Sequence, residues 1–160
     1  MHQPKFVPLI LSILLVFSIA AIGAVGSASA PQIYAQLNQP SWSPPAYLFG
    51  PVWTVLYLMI AVSFWLIAIQ PHSDNRSVAL RVFTVQLVLN GLWSWTFFAW
   101  QQGALALVNI LLLWVFIVWT IKLNKRLNKW ASYLLAPYLA WVTFATVLNW
   151  AMWHLNPQIL

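Results

Sequence analysis

The side chains of this chain that could do chemistry are indoles and amides rather than acids or thiols. The 160 residues include twelve Trp but one acid, Asp74, three His and no Cys. One carboxylate leaves no pair for general acid–base catalysis. Without Cys there is no thiol chemistry, and the redox compartment cannot be read. His2, His72 and His154 are scattered and lack partner ligands, so no metal cluster is expected. Three spacings instead align aromatic and amide side chains on helix faces. They are Phe49, Trp53 and Tyr57; then Gln86, Asn90, Trp93 and Phe97; then Thr143, Val147, Trp150 and His154. Asn109 and Asn149 add two further amides.

Gln and Asn inside an apolar helix are costly unless they meet partners or a cavity, so the Gln86–Phe97 face should point inward. Indoles stack on flat rings and each offers one N–H donor. Such a lining suits a flat, aromatic, mostly apolar ligand whose orientation a few polar groups fix. The plainer alternative is that the aromatics fill helix interfaces and the amides act as interhelical glue. His154 is a weak candidate ligand for haem iron, against the simpler reading of a helix-end His facing water. The segment Gln39-Pro40-Ser41-Trp42-Ser43-Pro44-Pro45 is stiffened by its prolines. It presents Trp42 either as part of a lid or as an interfacial anchor.

The elements that must position these groups follow from composition. The chain is 62% hydrophobic and 5% charged, too few charges to cover a water-facing surface. The fold class is therefore all-α integral membrane, a five-transmembrane-helix bundle in one domain. Its apolar stretches run over residues about 6–25, 48–69, 78–100, 104–121 and 131–154, each near the ~20 residues that span a bilayer. The net charge of +6 does not imply nucleic acid, because the cations are few, are separated by apolar runs and accompany no reading motif. The first stretch, with Lys5 before it and Ser27-Ala28-Ser29-Ala30 after it, resembles a signal peptide, but it exceeds the usual core of about 7–15 residues, which favours a retained helix. All seven basic residues (Lys5, Arg76, Arg81, Lys122, Lys125, Arg126 and Lys129) fall on one side of the five-span arrangement. The positive-inside bias then sets the N-terminus and basic loops in the cytoplasm and the C-terminus on the opposite face. Ala20, Gly23, Ala24 and Gly26 give the first helix small faces that serve a homodimer or intrachain packing equally well.

Several words in this sequence resemble the TspO/MBR family, also called tryptophan-rich sensory, translocator or peripheral benzodiazepine receptor proteins. They are Pro40-Ser41-Trp42-Ser43-Pro44-Pro45, Gly50-Pro51-Val52-Trp53-Thr54-Val55-Leu56-Tyr57, Leu87-Val88-Leu89-Asn90 with Trp93, Pro137-Tyr138-Leu139-Ala140-Trp141, and Phe144-Ala145-Thr146-Val147-Leu148-Asn149-Trp150. The resemblance runs from about Tyr34 to Asn156. It implies five transmembrane helices around a pocket near the loop between the first two. It implies porphyrins such as protoporphyrin IX, haem and isoquinoline-type compounds as ligands, with no cofactor required. By position it implies ligand contacts at Trp42, Trp53, Asn90, Trp93, Phe97, Leu112, Trp141, Ala145, Leu148, Asn149 and Trp150. It also implies Trp53 and Trp150 as the indoles of a light-dependent porphyrin degradation reported for some bacterial relatives. The sterol motif that vertebrate relatives carry late in the last helix is incomplete here. The stretch Leu148–His154 has Trp150 in place of Tyr and no Lys or Arg.

Three functions are thus expected, in this order. The first is a membrane tetrapyrrole-binding protein acting as sensor, regulator or carrier. The second is a light-dependent protoporphyrin-degrading enzyme. The third is a porphyrin or sterol transporter, for which there is neither an inverted repeat nor a helix broken at mid-membrane.

Overall fold

The computed structural model describes residues 6–160, so His2 and Lys5 lie outside the described residues. Its elements are α1 (Phe6–Gly26), α2 (Ala30–Gln36), a 3₁₀ turn (Ala46–Leu48), α3 (Phe49–Ala68), α4 (Asp74–Ser94) continued by a π-helical turn (Trp95–Ala99), α5 (Gly103–Leu127), α6 (Lys129–Tyr133) and α7 (Ala136–Leu155). Five segments are long and apolar enough to cross a bilayer: Phe6–Gly26, Ala46–Ala68, Asp74–Ala99, Gly103–Leu127 and Lys129–Leu155. No strand occurs among the described residues. Helices suit lipid because they satisfy their backbone hydrogen bonds internally.

The boundaries depart from the hydropathy pattern where polar residues continue or begin a helix. α4 starts at Asp74 rather than near residue 78, because the Ser73 hydroxyl accepts the Arg76 N–H at 3.2 Å and caps it. α5 runs to Leu127 rather than to 121. Lys125 and Arg126 in its last turn suit the helix macrodipole. The Asn128 side chain then accepts from the backbone of Trp130 and Ala131 and caps α6. The loop between the first two spans contains the unexpected helix α2, with Pro31 in its first turn.

The five spans form a ring in the order α1, α3, α7, α5, α4, with α3 meeting α7 only sparsely. α1 is an integral wall of this ring: Val16 is fully buried, and Gly23 faces Gly91 and Ser94 of α4. A Cβ on Gly26 would lie 2.8 Å from the Trp95 ring, whose N–H donates to Ile22 O at 3.0 Å. Glycines here let an indole lie flat on α1. A Cβ on Gly103 would likewise sit 2.7 Å from Trp153, so α5 and α7 close tightly at that end. The small face of α1 is thus used within the chain.

Below the cavity the core is mostly apolar, built from Ile60, Phe83, Leu87 and Ile117. Outward-facing residues such as Leu11, Leu14, Val55, Leu111 and Val115 are half exposed, which gives the bundle an apolar outer surface suited to lipid.

Candidate functional site: an aromatic cavity under the first loop

A cavity of about 330 Å³ lies inside the ring, toward the end carrying the Pro-rich loop. That is at the lower end of the range of small-molecule sites. α3 supplies Phe49, Trp53 and Tyr57, as their spacing of four requires. α4 supplies Asn90 and Trp93, and Phe97 follows from the π-helical turn. α7 supplies Trp141, Ala145, Leu148 and Asn149. Small residues of α1, among them Ala20, Gly23 and Ala24, leave the space that bulkier ones would fill. No charged side chain is among the lining residues described.

Two polar networks meet the cavity. Along its floor the Tyr57 hydroxyl donates to Asn90 Oδ1 at 2.7 Å, and Asn90 Nδ2 donates to the Tyr138 hydroxyl at 3.0 Å. Tyr138 in turn donates to Gln86 Oε1 at 3.1 Å. Tyr138 and Gln86 are buried beneath the floor, and Gln86 Nε2 has no hydrogen-bond partner. Higher up, the Trp93 N–H donates to Asn149 Oδ1 at 2.9 Å, and Asn149 Nδ2 donates to Gly103 O at 3.2 Å. Asn90 and Asn149 thus spend both of their amide groups on the bundle, and each holds an aromatic in place. The Trp53 and Tyr57 rings stack at 5.3 Å, Trp93 and Phe97 stack at 5.2 Å, and Phe49 meets Trp141 edge-on at 5.9 Å.

The loop over this cavity is tied down at two points. The Tyr34 hydroxyl bonds the Ser43 hydroxyl and donates to Pro44 O at 2.9 Å. Asn156, fully buried just after α7, accepts from Asn38 N at 2.7 Å and donates to Asn38 O at 3.0 Å and to Met152 O at 2.7 Å. A side chain at the end of the last helix therefore grips the backbone of the first loop. α2 becomes part of the roof, with Pro31 and Tyr34 lining the cavity.

Of the eleven residues expected at the site, the structure brings Trp53, Asn90, Trp93, Phe97, Trp141, Ala145, Leu148 and Asn149 together. It does not bring Trp42, Leu112 or Trp150 to the cavity. Trp42 is 46% exposed and meets Phe144 edge-on outside it. Leu112 is 48% exposed on the outer face of α5, and its neighbours Ile110 and Leu113 line the cavity instead. Trp150 is 52% exposed and stacks on His154, with only 6° between the rings. Consecutive helix residues are rotated by about 100°, which carries Leu112 past Ile110 and Leu113 and Trp150 past Asn149 onto the outer face. The same rotation turns the whole Thr143–Val147–Trp150–His154 face outward, and His154 with it. Among the described residues no three His, Cys, Asp or Glu side chains gather. The sequence pattern missed Tyr34 and Tyr138. Tyr138 lies between apolar neighbours like any core residue, and only its hydroxyl partners on α4 reveal a role.

A model of the TspO/MBR family matches residues 10–154, which takes in most or all of each of the five spans and every residue that lines the cavity. The chain belongs to the TspO/MBR family. It is 42% identical over 142 residues to a tryptophan-rich protein TspO of Chlorobaculum tepidum, covering 86% of this chain and 90% of that protein. It is 34% identical to a tryptophan-rich sensory protein of Cereibacter sphaeroides over 86% of this chain and 88% of the relative. It is 37% identical to the human translocator protein over 77% of this chain and 74% of that protein. As a TspO/MBR protein the chain is an integral, multi-pass membrane protein. The segments that carried the resemblance lie mainly on α3, α4 and α7, the helices that supply most of the aromatic lining.

Proposed function

We propose that this TspO/MBR protein binds tetrapyrroles, porphyrin or haem, in the cavity under the first loop and acts as a sensor, regulator or carrier. The observation that carries this reading is the lining. Trp53, Trp93, Trp141 and Phe97 give the cavity an aromatic wall suited to a flat aromatic molecule, while Asn90 and Asn149 tie the helices that carry them. The names sensory protein and translocator protein given to the relatives fit a binding role. Charge chemistry plays no part in the proposed site, since its lining is uncharged. The basic ends of the bundle face the cytoplasm in this reading, and the cavity roof faces the opposite side.

The test is a dark titration of purified protein with protoporphyrin IX, followed by tryptophan fluorescence. Saturable quenching that Trp53→Phe weakens and Trp150→Phe leaves nearly intact is the expected result. Absence of saturable quenching would sink the proposal. The degradative alternative rests on Trp53 alone, because Trp150 stands on the lipid face. Illumination of the same complexes decides it. Loss of porphyrin absorbance in the unmodified protein but not in Trp53→Phe would make the protein an enzyme, whereas an unchanged spectrum leaves a binding protein.

A further inference from the structure

The end of the bundle away from the cavity carries a cluster of exposed cations with no acidic partner among the described residues. Lys122, Lys125 and Arg126 lie at spacings of three and one on α5, so they share one face of its last two turns. All three are exposed, as is Lys129, which opens α6 directly after them. Arg81, near the start of the adjoining α4, is exposed at the same end. The sole acid of the chain, Asp74, cannot neutralise this set. Arg76 differs: it donates to Ala68 O at 2.6 Å and lies against His72 at 2.8 Å, closing the end of α3. Like charges three and four residues apart destabilise a helix. Orientation by positive charge requires only that the cations lie on one side of the membrane, not on one helix face. Beside them, Trp130 is 72% exposed and Tyr133 56% exposed, edge-on to each other at 5.9 Å on the short helix α6. Amphipathic rings of this kind settle at the level of lipid headgroups.

We propose that the face formed by Lys122, Lys125, Arg126 and Lys129, with Trp130 and Tyr133 at its edge, is a binding site for anionic phospholipid headgroups. The cations meet the phosphates, and the two aromatic rings hold the helix end at headgroup depth. This site is separate from the cavity and does not depend on what the cavity binds. A second copy of the chain is a poor occupant, because the two faces would repel. A soluble acidic partner would leave Trp130 and Tyr133 without a role.

The test places full-length protein in phosphatidylcholine nanodiscs doped with brominated phosphatidylglycerol or, at equal fraction, brominated phosphatidylcholine. The fluorescence lost in Trp130→Phe isolates the signal of that residue. At low salt, brominated phosphatidylglycerol should quench Trp130 more strongly. The preference should fall by about five-fold in relative affinity for each cation removed by Lys122→Gln, Lys125→Gln or Arg126→Gln. It should survive Lys122→Arg with Lys125→Arg, which keeps the charge and controls for folding. Equal quenching by the two lipids overturns the proposal. So does a preference that persists when Lys122, Lys125, Arg126 and Lys129 are all replaced by Gln, and so does charge-dependent capture of a soluble acidic polymer without any lipid preference.

Discussion

At the residue scale, Asn90 is the side chain on which the cavity floor depends. It accepts from Tyr57 and donates to Tyr138, so one amide joins α3, α4 and α7. Interhelical hydrogen bonds in membrane proteins are worth about 0.6 kcal/mol on average, and a buried group left unpaired costs about 1–3 kcal/mol. Asn90→Ala should therefore lower stability by about 1–2 kcal/mol, seen as a lower midpoint in detergent unfolding. Tyr57→Phe removes only the terminal donor and should cost less. The inward turn of Asn90 and Trp93 was legible in the sequence, because a Gln and an Asn four residues apart in an apolar helix must meet partners. The identity of those partners was not. Tyr138 is 48 positions away, and no spacing rule connects it to α4.

At the scale of elements, close helix approach at glycines and the grip of Asn156 set how firmly the cavity is walled and roofed. A Cβ at residue 103 would press on the Trp153 Cγ and Cβ, close to the root of that side chain, where it has little room to turn. Gly103→Ala should thus destabilise the fold by about 1–3 kcal/mol through overpacking. Gly50→Ala meets nothing within 4 Å and should leave the unfolding midpoint unchanged or slightly raised. Asn156→Ala frees the backbone of Asn38. Stopped-flow measurement should then show porphyrin associating and dissociating faster, with the dissociation constant less affected than either rate. Unchanged rates would mean that the roof is held by Tyr34 and the prolines alone. The five spans and the stiff first loop could be read from hydropathy and Pro spacing. The helix α2 within that loop could not, because seven residues without a strong apolar period give little signal.

At the scale of the molecule, the charge distribution and the cavity occupy opposite ends of one ring. The absence of cysteine makes orientation simple to measure. Single substitutions Gln39→Cys and Lys129→Cys, probed with a membrane-impermeant thiol reagent on intact cells, should label residue 39 and spare residue 129. The reverse pattern would place the basic end outside. The sequence by itself determined that the chain lives in lipid, how many times it crosses, that its cations share one side of the bundle and which family it resembles, because each of these depends on composition and order along the chain. It also determined most of the cavity lining, since the spacings on α3 and α4 bring their aromatics to common faces. Only the tertiary structure decided that Trp42, Leu112 and Trp150 lie outside the cavity and that Asn156 closes it from 118 positions away. Each helix can rotate about its axis without changing its sequence. The phase that buries Asn149 and exposes Trp150 is fixed by packing against the other four spans, where Gly103 and Trp153 must fit and Trp93 must find its acceptor.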